Sequence, residues 1–302
     1  MLVLGLASCR NGAGVEAQKS LEQIRLEQIS LTDTLSLMMR VNPDTIEGHS
    51  KLDSLSADAW MLVDDSTGII ISKKNAYQRR FMASITKMMT GLLALERGVM
   101  TDTIEITEDV YIHKDGRVKL GEAYRMDDLI QLMMMVSDND AACAIAKHVA
   151  GDTLQFYDMM NRKAQYLGMD STNFASPNGM PNNNNYSSAA DLVKLARYAM
   201  RDSAFAVIVG TTEKQIPLVD GRHMDCRNSN ALIHTYEGCT GIKTGFTYQA
   251  GYCLASQATR GDITLTLVLL NSRTFKSRFI ESAALLDYGF RVMQAYRRNS
   301  KC

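Results

Sequence analysis

Apolar runs separated by turn residues stand towards both ends of the chain and predict strands. The runs 59–63 and 69–72 flank a polar cluster at 64–68 that is typical of a turn. Alternation and β-branched residues return after Gly238. They predict strands over 241–244, 251–256 and 263–270. Strands this far apart in the chain indicate one sheet assembled from distant segments.

The middle of the chain has the spacing of amphipathic helices. One helix is predicted over 84–97, with Ser84 at the N-cap or in the first turn. Further helices are predicted over 127–136, 141–150, 154–167, 189–201 and 279–296. The pattern therefore predicts an α/β (α+β) fold in which a helical subdomain, roughly residues 100–200, is inserted between the strands of one sheet.

The first residues are apolar or small and end in Leu6-Ala7-Ser8-Cys9. This tetrapeptide resembles the lipobox of bacterial lipoproteins, in which signal peptidase cleaves before a lipidated cysteine. It predicts a lipoprotein signal over 1–8, with Cys9 as the first residue of the mature chain. A basic n-region is missing, so a harmless apolar N-terminus is the alternative. The segment is too short to cross a bilayer.

The segment 9–56 is polar with scattered leucines and isoleucines. This composition predicts a tether that can form a short amphipathic helix. The polar composition gives way to apolar, strand-like runs near Ala59, so we place the globular domain at 57–296.

Charge and cysteine content exclude several classes of protein. The 33 basic and 33 acidic residues cancel, so no global field favours nucleic acid, and a charged substrate must be recognised locally.

The cysteines lack C-x-x-C spacing and the histidines lack H-E-x-x-H spacing, so we expect neither metal nor cofactor. Cys143 and Cys253 lie in apolar runs and are predicted to be buried free thiols. Cys226 with Cys239 is the one pair for which a disulfide deserves a test.

Ser84 and Lys87 lie three residues apart and therefore share one side of a helix. A hydroxyl beside an amine pairs a nucleophile with a base. The positive end of the helix dipole would favour the negative charge that develops as the serine attacks a carbonyl. The motif alone is weak, because roughly one S-x-x-K is expected by chance in a chain of this length. A surface serine and lysine are the alternative.

Two further motifs follow. Ser137-Asp138-Asn139 lies between two predicted helices, where rigid supports can aim a hydroxyl and an amide into a cleft. Two other S-x-N triplets begin at Ser171 and Ser176, so this motif also means little alone. Lys243-Thr244-Gly245 lies in the first strand after the helical region. Its glycine allows a substrate backbone to approach closely and its lysine supplies positive charge.

The order S-x-x-K, S-D-N, K-T-G is the signature of class A β-lactamases and penicillin-binding proteins. From about Ala59 to Phe290 the chain resembles the serine D-alanyl-D-alanine carboxypeptidases, the low-molecular-mass penicillin-binding proteins. The resemblance lies in the stretches 83–96, 137–142 with 150–151, 160–180, 228–230, 240–251, 273–278 and 285–290. It implies a β-lactamase/transpeptidase-like fold, with an antiparallel sheet flanked by helices and an all-helical subdomain.

Several family members carry a further β-rich domain and a membrane-binding amphipathic helix. This chain stops before either, so we expect a lipid on Cys9 to be the only contact with a membrane. The resemblance implies an exported protein, in the periplasm or at the cell surface.

The resemblance also implies a mechanism. Ser84 attacks the carbonyl between two D-alanines, and water hydrolyses the resulting acyl-enzyme. Lys87 is the expected base, because burial and a second cation, Lys243, are the influences that lower a lysine pKa. Ser137 is expected to relay the proton to the departing amine. Asn139 is expected to orient Lys87 and to bind the peptide backbone.

The resemblance further assigns the groups that bind the substrate. Lys243, Thr244 and Arg278 are expected to hold the terminal carboxylate, beside the close approach at Gly245. The backbone N–H groups of Ser84 and Phe246 are expected to form the oxyanion hole. The implied substrate is a peptidoglycan stem peptide ending in D-Ala-D-Ala, with β-lactams as inhibitors. Hydrolysis and transfer to an acceptor amine both stay open.

Two alternatives compete with this interpretation. A class A β-lactamase uses a glutamate to activate the deacylating water, yet no glutamate occurs between Glu122 and Glu213. A wall-binding lipoprotein without catalysis would keep the fold, but reactive residue types fill every mapped catalytic position. One departure is Asn178, where the family often has histidine; we expect altered loop contacts there and intact chemistry.

Overall fold

The computed structural model describes residues 31–32, 35–38, 40–112 and 116–300. The predicted signal segment, Cys9 and most of the predicted tether lie outside these residues. The strands are β1 Ala59–Asp64, β2 Ile70–Lys74, β3 Thr103–Glu105, β4 Ala123–Arg125, β5 Glu213–Pro217, β6 His223–Arg227, β7 Cys239–Thr247, β8 Gly251–Arg260 and β9 Ile263–Ser272. The helices are α1 Leu35–Met38, α2 His49–Leu52, α3 Lys87–Arg97, α4 Met126–Val136, α5 Asn139–Ala150, α6 Thr153–Tyr166, α7 Ala189–Ala199, α8 Ser203–Gly210, α9 Leu232–Thr235 and α10 Ser277–Asn299. Two 3-10 turns span Pro43–Thr45 and Ala83–Thr86.

A five-stranded antiparallel sheet in the order β2-β1-β9-β8-β7 forms the centre of the fold. Strands from the two ends of the chain pair directly, with Met61 opposite Val268. This pairing confirms the prediction of one sheet built from distant segments. Strand β7 lies at the edge of the sheet, so one side of its backbone is open to a neighbour.

Both faces of the sheet are covered, which explains the unbroken apolar run of β1. Trp60 and Leu62 point into the core beneath α10, whereas Met61 and Val63 point into the larger core on the side of the other helices. Gly289 allows α10 to pack closely, because a β-carbon there would stand 2.7 Å from Cδ2 of Leu62.

The predicted long helices are present, with small shifts at their ends. The inserted region is predominantly but not entirely helical, because β3 and β4 form a small two-stranded sheet within it. Helix α8 and the β5–β6 hairpin were not predicted. Their runs are short, and short runs lack enough periods to distinguish helix from strand.

The described part of the predicted tether packs onto the domain. Leu37 and Leu52 are buried in the same core as α10. The amide of Thr32 also donates to the carbonyl of Gly68 at 2.8 Å. None of the described helices combines the length and apolar character needed to cross a membrane.

Cys143, Cys226, Cys239 and Cys253 are free cysteines. Cys143 and Cys253 are buried, as predicted. Cys226 and Cys239 do not form the disulfide considered for them; they lie on β6 and β7, which belong to different sheets.

Candidate active site

Ser84 lies in the 3-10 turn that leads into α3. The α-helix itself begins only at Lys87, three residues later than predicted. The turn is tight because the amide of Ile85 donates to the carbonyl of Met82, three residues back, at 3.1 Å. Ala83 within it adopts a left-handed conformation with φ of +48°. Ser84 is half-buried, on the side of the helix that carries Lys87.

The side chain of Lys87 is completely buried and points back to Ser84. Its Nζ lies 3.0 Å from Oγ of Ser84, 2.7 Å from Oδ1 of Asn139 and 2.6 Å from the carbonyl oxygen of Asn178. These contacts fix the nitrogen within hydrogen-bond reach of the hydroxyl, which is the geometry that proton transfer requires. The structure therefore brings together four residues from three separate segments, and Ser84, Lys87 and Asn139 among them are predicted site residues.

The turn between α4 and α5 carries the second motif. Ser137 ends α4 in a left-handed conformation with φ of +67° and is half-buried. Asn139 opens α5 and accepts the hydrogen bond from Lys87. Asp138, to which sequence analysis gave no role, caps α5 by accepting from the amide of Ala141 at 2.9 Å. It also binds the amides of Arg117 and Val118, so it joins this turn to a neighbouring loop.

Strand β7 carries the third motif. Lys243 is 1% exposed, and its Nζ donates to the carbonyl of Thr244 at 3.1 Å. Burial, with the nearby charges of Lys87 and Arg278, holds the pKa of Lys243 well below its usual value. The hydroxyl of Thr244 lies 3.0 Å from that of Ser229.

Gly245 brings β7 against the serine turn. A β-carbon at this position would lie 3.1 Å from the backbone nitrogen of Ser84 and 3.1 Å from the carbonyl oxygen of Met82. The next residue, Phe246, is 41% exposed and stacks on Tyr252 with ring centroids 4.3 Å apart. The backbone groups expected to form the oxyanion hole are therefore on neighbouring segments.

Arg278 lies at the start of α10 and is buried. Its Nη1 donates to the carbonyl of Gly245 at 3.1 Å, and its guanidinium lies over the rings of Phe275 and Phe279. Burial lowers the pKa of Arg278 to about 10. The residue supports β7 and adds positive charge to the neighbourhood of Lys243.

The loop 176–180 contacts the candidate site through residues to which sequence analysis gave no role. The carbonyl of Asn178 holds Lys87, and its buried side-chain amide donates to Sγ of Cys143 at 3.4 Å. Oδ1 of Asn178 accepts from Oγ of Ser176 at 2.7 Å and from the amide of Met180 at 3.0 Å. The Asn-Gly pair at 178–179 was an available signal, because it marks tight turns.

Three buried basic side chains thus lie near one serine. Burial, followed by the neighbouring Lys87 and Arg278, opposes protonation of Lys243. Such a site favours an anionic ligand, since an anion would supply the missing opposite charge. Within the described ranges, no group of three or more metal-ligating side chains could hold a metal ion.

Comparisons with known proteins indicate one family. A family model described as D-alanyl-D-alanine carboxypeptidase matches residues 46–274. The D-alanyl-D-alanine carboxypeptidase DacF of Bacillus subtilis is 31% identical over 253 residues, which cover 80% of this chain and 65% of the relative. DacA of Escherichia coli K12 is 32% identical over 256 residues, covering 80% and 62%. The chain therefore spans less than two thirds of these two curated relatives.

A solved structure has the same architecture. The crystal structure of the Streptomyces K15 DD-transpeptidase superimposes with a TM-score of 0.74 at 29% identity. The match covers 78% of this chain and 97% of that protein. It confirms the predicted fold class.

Proposed function

The chain belongs to the D-alanyl-D-alanine carboxypeptidase family, and on that premise we propose that it is a serine D,D-carboxypeptidase. Its proposed substrate is a peptidoglycan stem peptide, from which it removes the terminal D-alanine. The observation that carries the proposal is the 3.0 Å contact between Nζ of buried Lys87 and Oγ of Ser84, beside the buried cation Lys243.

In the acylation step, Lys87 takes the proton of Ser84 as its oxygen attacks the carbonyl of the penultimate D-alanine. The backbone N–H groups of Ser84 and Phe246 stabilise the oxyanion. As the C–N bond breaks, Ser137 relays the proton from Lys87 to the nitrogen of the departing D-alanine, which leaves Lys87 neutral again. Asn139 positions Lys87 through its 2.7 Å hydrogen bond, so its role depends on that contact.

The terminal carboxylate of the substrate binds at β7. Lys243 and Thr244 face it directly, and Arg278 adds charge from behind the strand at Gly245. Burial is the largest influence that lowers the pKa of Lys243, followed by Lys87 and Arg278, and a bound carboxylate would raise that pKa because it stabilises the charged ammonium. Substrate binding and the protonated state of Lys243 therefore support each other.

Hydrolysis of the acyl-enzyme by water regenerates Ser84 and releases the shortened peptide. The lack of a glutamate between Glu122 and Glu213 supports slow release when the acyl group comes from a β-lactam. β-Lactams are therefore proposed as inhibitors. Rapid, repeated turnover of a chromogenic cephalosporin by the purified protein would instead indicate a β-lactamase.

Release of D-alanine from a synthetic peptide ending in D-Ala-D-Ala tests the activity directly. We expect release by the wild type and none by Ser84→Ala. A matched peptide ending in D-Ala-L-Ala should be cut far more slowly. Intact peptide after long incubation with a folded wild-type protein would contradict the activity and favour a wall-binding protein without catalysis.

The location of the protein forms a second part of the proposal. We propose that the domain 57–296 is exported to the periplasm or the cell surface and is anchored by a lipid on Cys9. The tetrapeptide Leu6-Ala7-Ser8-Cys9 supports this. Labelling bacteria with an alkynyl fatty acid should tag the wild type and not Cys9→Ser. An equal signal from both, or none from the wild type, would contradict the anchor.

A further inference from the structure

A cavity of about 320 Å³ lies beyond the end of β7. Four segments line it. Three of them continue from segments of the candidate active site, and the fourth contributes Asn271 near the end of β9. Residues 79–81 lead into the turn that carries Ser84. Gln249 and Ala250 follow β7, and Asn183 and Tyr186 follow the loop that holds Lys87. Three of the four walls of the cavity are therefore connected by short stretches of chain to the candidate active site.

The order of groups along β7 shows which part of a substrate would reach the cavity. The terminal carboxylate is assigned to Lys243 and Thr244, and the attacked carbonyl to the amide of Phe246. A peptide lying antiparallel along β7 then continues past Thr247, away from its own C-terminus. The cavity faces the upstream residues of the stem peptide.

The lengths agree. Ala250 follows Phe246 by four residues, so it is at most about 14 Å away along the chain. An extended peptide advances about 3.4 Å per residue, so the second and third residues upstream of the D-Ala-D-Ala bond lie about 3–7 Å beyond the penultimate D-alanine along the strand, and their side chains reach further. Side chains at those positions therefore come within reach of the cavity.

The charge of the cavity comes from Arg79. Its neighbour Arg80 is already paired, since Nη1 of Arg80 lies 3.2 Å from Oδ2 of Asp58. Arg79 is exposed and stacks over the ring of Tyr186, with the guanidinium carbon 4.9 Å from the centroid. No described carboxylate forms an ion pair with Arg79.

The backbone holds this arginine in place. The amide of Arg80 donates to the carbonyl of Ser187 at 2.7 Å, and the amide of Ser187 donates back at 3.0 Å. This pair of bonds fixes Arg79 beside Tyr186. A guanidinium that is stacked on an aromatic ring keeps its edge free for a planar, bidentate carboxylate.

We propose that this cavity is a subsite in which Arg79 binds a carboxylate carried by the second or third residue upstream of the D-Ala-D-Ala bond. The proposal rests on the proposed function, because the direction of the peptide follows from it. The carboxylate could belong to an acidic residue within the stem or to a diamino acid with a second carboxyl group. Both present the same chemistry to Arg79.

The test uses synthetic pentapeptides ending in D-Ala-D-Ala that differ only in one upstream group. One pair has a carboxylate or a carboxamide on the second residue upstream; another pair has them on the third. We expect the acid form of one pair to be cleaved with kcat/KM about tenfold or more above its amide, as a charge-assisted hydrogen bond allows. The pair that shows this difference identifies the source.

Arg79→Gln should remove the preference, and Arg79→Lys should keep part of it. Both should leave acylation by benzylpenicillin unchanged, because that reaction does not use the subsite. Arg162→Gln is the matched control, since Arg162 is exposed on α6 and pairs with Asp158 on its own helix. It should keep the full preference.

Binding to Ser84→Ala separates this inference from the activity. If the wild type cleaves acid and amide forms equally, the subsite is contradicted and the activity stands. If Ser84→Ala binds the acid form more tightly and Arg79→Gln in the same background does not, the subsite is supported even when the wild type releases no D-alanine. Equal binding of both forms by Ser84→Ala would overturn the subsite in either case.

Discussion

A β-carbon built on Gly179 would stand 2.0 Å from the carbonyl oxygen of Ala83. Gly179 therefore packs directly against the turn that presents Ser84, and its own φ of +84° belongs to the left-handed region. The serine turn and the loop 176–180 pack this closely because Gly179 has no side chain. The same loop supplies the carbonyl that holds Lys87.

Gly179→Ala is expected to displace the serine turn, because the backbone of Ala83 cannot move away as a flexible side chain could. We expect slower acylation by benzylpenicillin and a loss of stability greater than the roughly 1–2 kcal/mol of left-handed strain. Gly221→Ala is the matched control: its φ is +88°, and nothing lies within 4 Å of the added carbon. Equal effects of the two substitutions on acylation would contradict the fitted contact.

Lys87→Met should slow acylation by benzylpenicillin about 10²–10⁴-fold, the range typical of a lost general base. Stopped-flow measurement of the acylation rate gives the result, and a thermal melt reports whether the fold survives. Lys73→Met serves as the control, because Lys73 is exposed on β2. A rate within tenfold of the wild type in a folded Lys87→Met protein would remove Lys87 from the proposed chemistry.

Asp138→Ala should cost more stability than an ordinary helix cap. The carboxylate binds three backbone amides, of Arg117, Val118 and Ala141. We expect a loss of at least about 3 kcal/mol in urea unfolding, since two loop amides lose their partner in addition to the cap. Asp152→Ala removes the exposed cap of α6, with its 2.9 Å bond to the amide of Gln155, and should cost about 1 kcal/mol. Similar losses would show that the loop does not depend on Asp138.

Lys243→Met should change the pH dependence of stability and lower the activity. The pKa of Lys243 lies below 10.5 in the folded protein, so between the two values the unfolded chain binds more protons. Wild-type stability should therefore rise with pH in that window, and the Met variant should show a smaller rise. Groups common to both proteins cancel in the comparison. We expect peptide kcat/KM to fall about 10–100-fold.

Urea unfolding at several pH values from neutrality to 10.5 measures this difference. Parallel stability curves for the wild type and Lys243→Met would contradict the lowered pKa. Unchanged peptide kinetics would contradict the role of Lys243 in binding the carboxylate.

Long periodic elements were predictable because they contain several turns or alternations of the pattern. Strands β1, β8 and β9 and helices α4 to α7 are of this kind. The three motifs were also readable, since their residue types and spacing limit the possible chemistry. The structure places Ser84, Lys87 and Asn139 in contact and Gly245 beside them.

Features that depend on tertiary contact were beyond sequence reasoning. The left-handed conformation of Ala83 delays the α-helix to Lys87, although the apolar spacing begins at Ile85. The contact of Gly179 with Ala83 joins residues that are 96 positions apart in the sequence. Asp138 was recognisable as a helix cap, because an acidic residue before an apolar helix is a local signal. Its bonds to the loop at Arg117 had no such signal in the sequence.

The most direct test of the central claim is intact mass spectrometry of the purified protein after incubation with benzylpenicillin. The proposed function predicts a lasting adduct of one penicilloyl group on the wild type, none on Ser84→Ala, and a modified peptide that contains Ser84. Absence of the adduct with the antibiotic intact would contradict Ser84 as an acylated nucleophile. Absence of the adduct with the antibiotic hydrolysed would contradict the slow release that separates this protein from a β-lactamase.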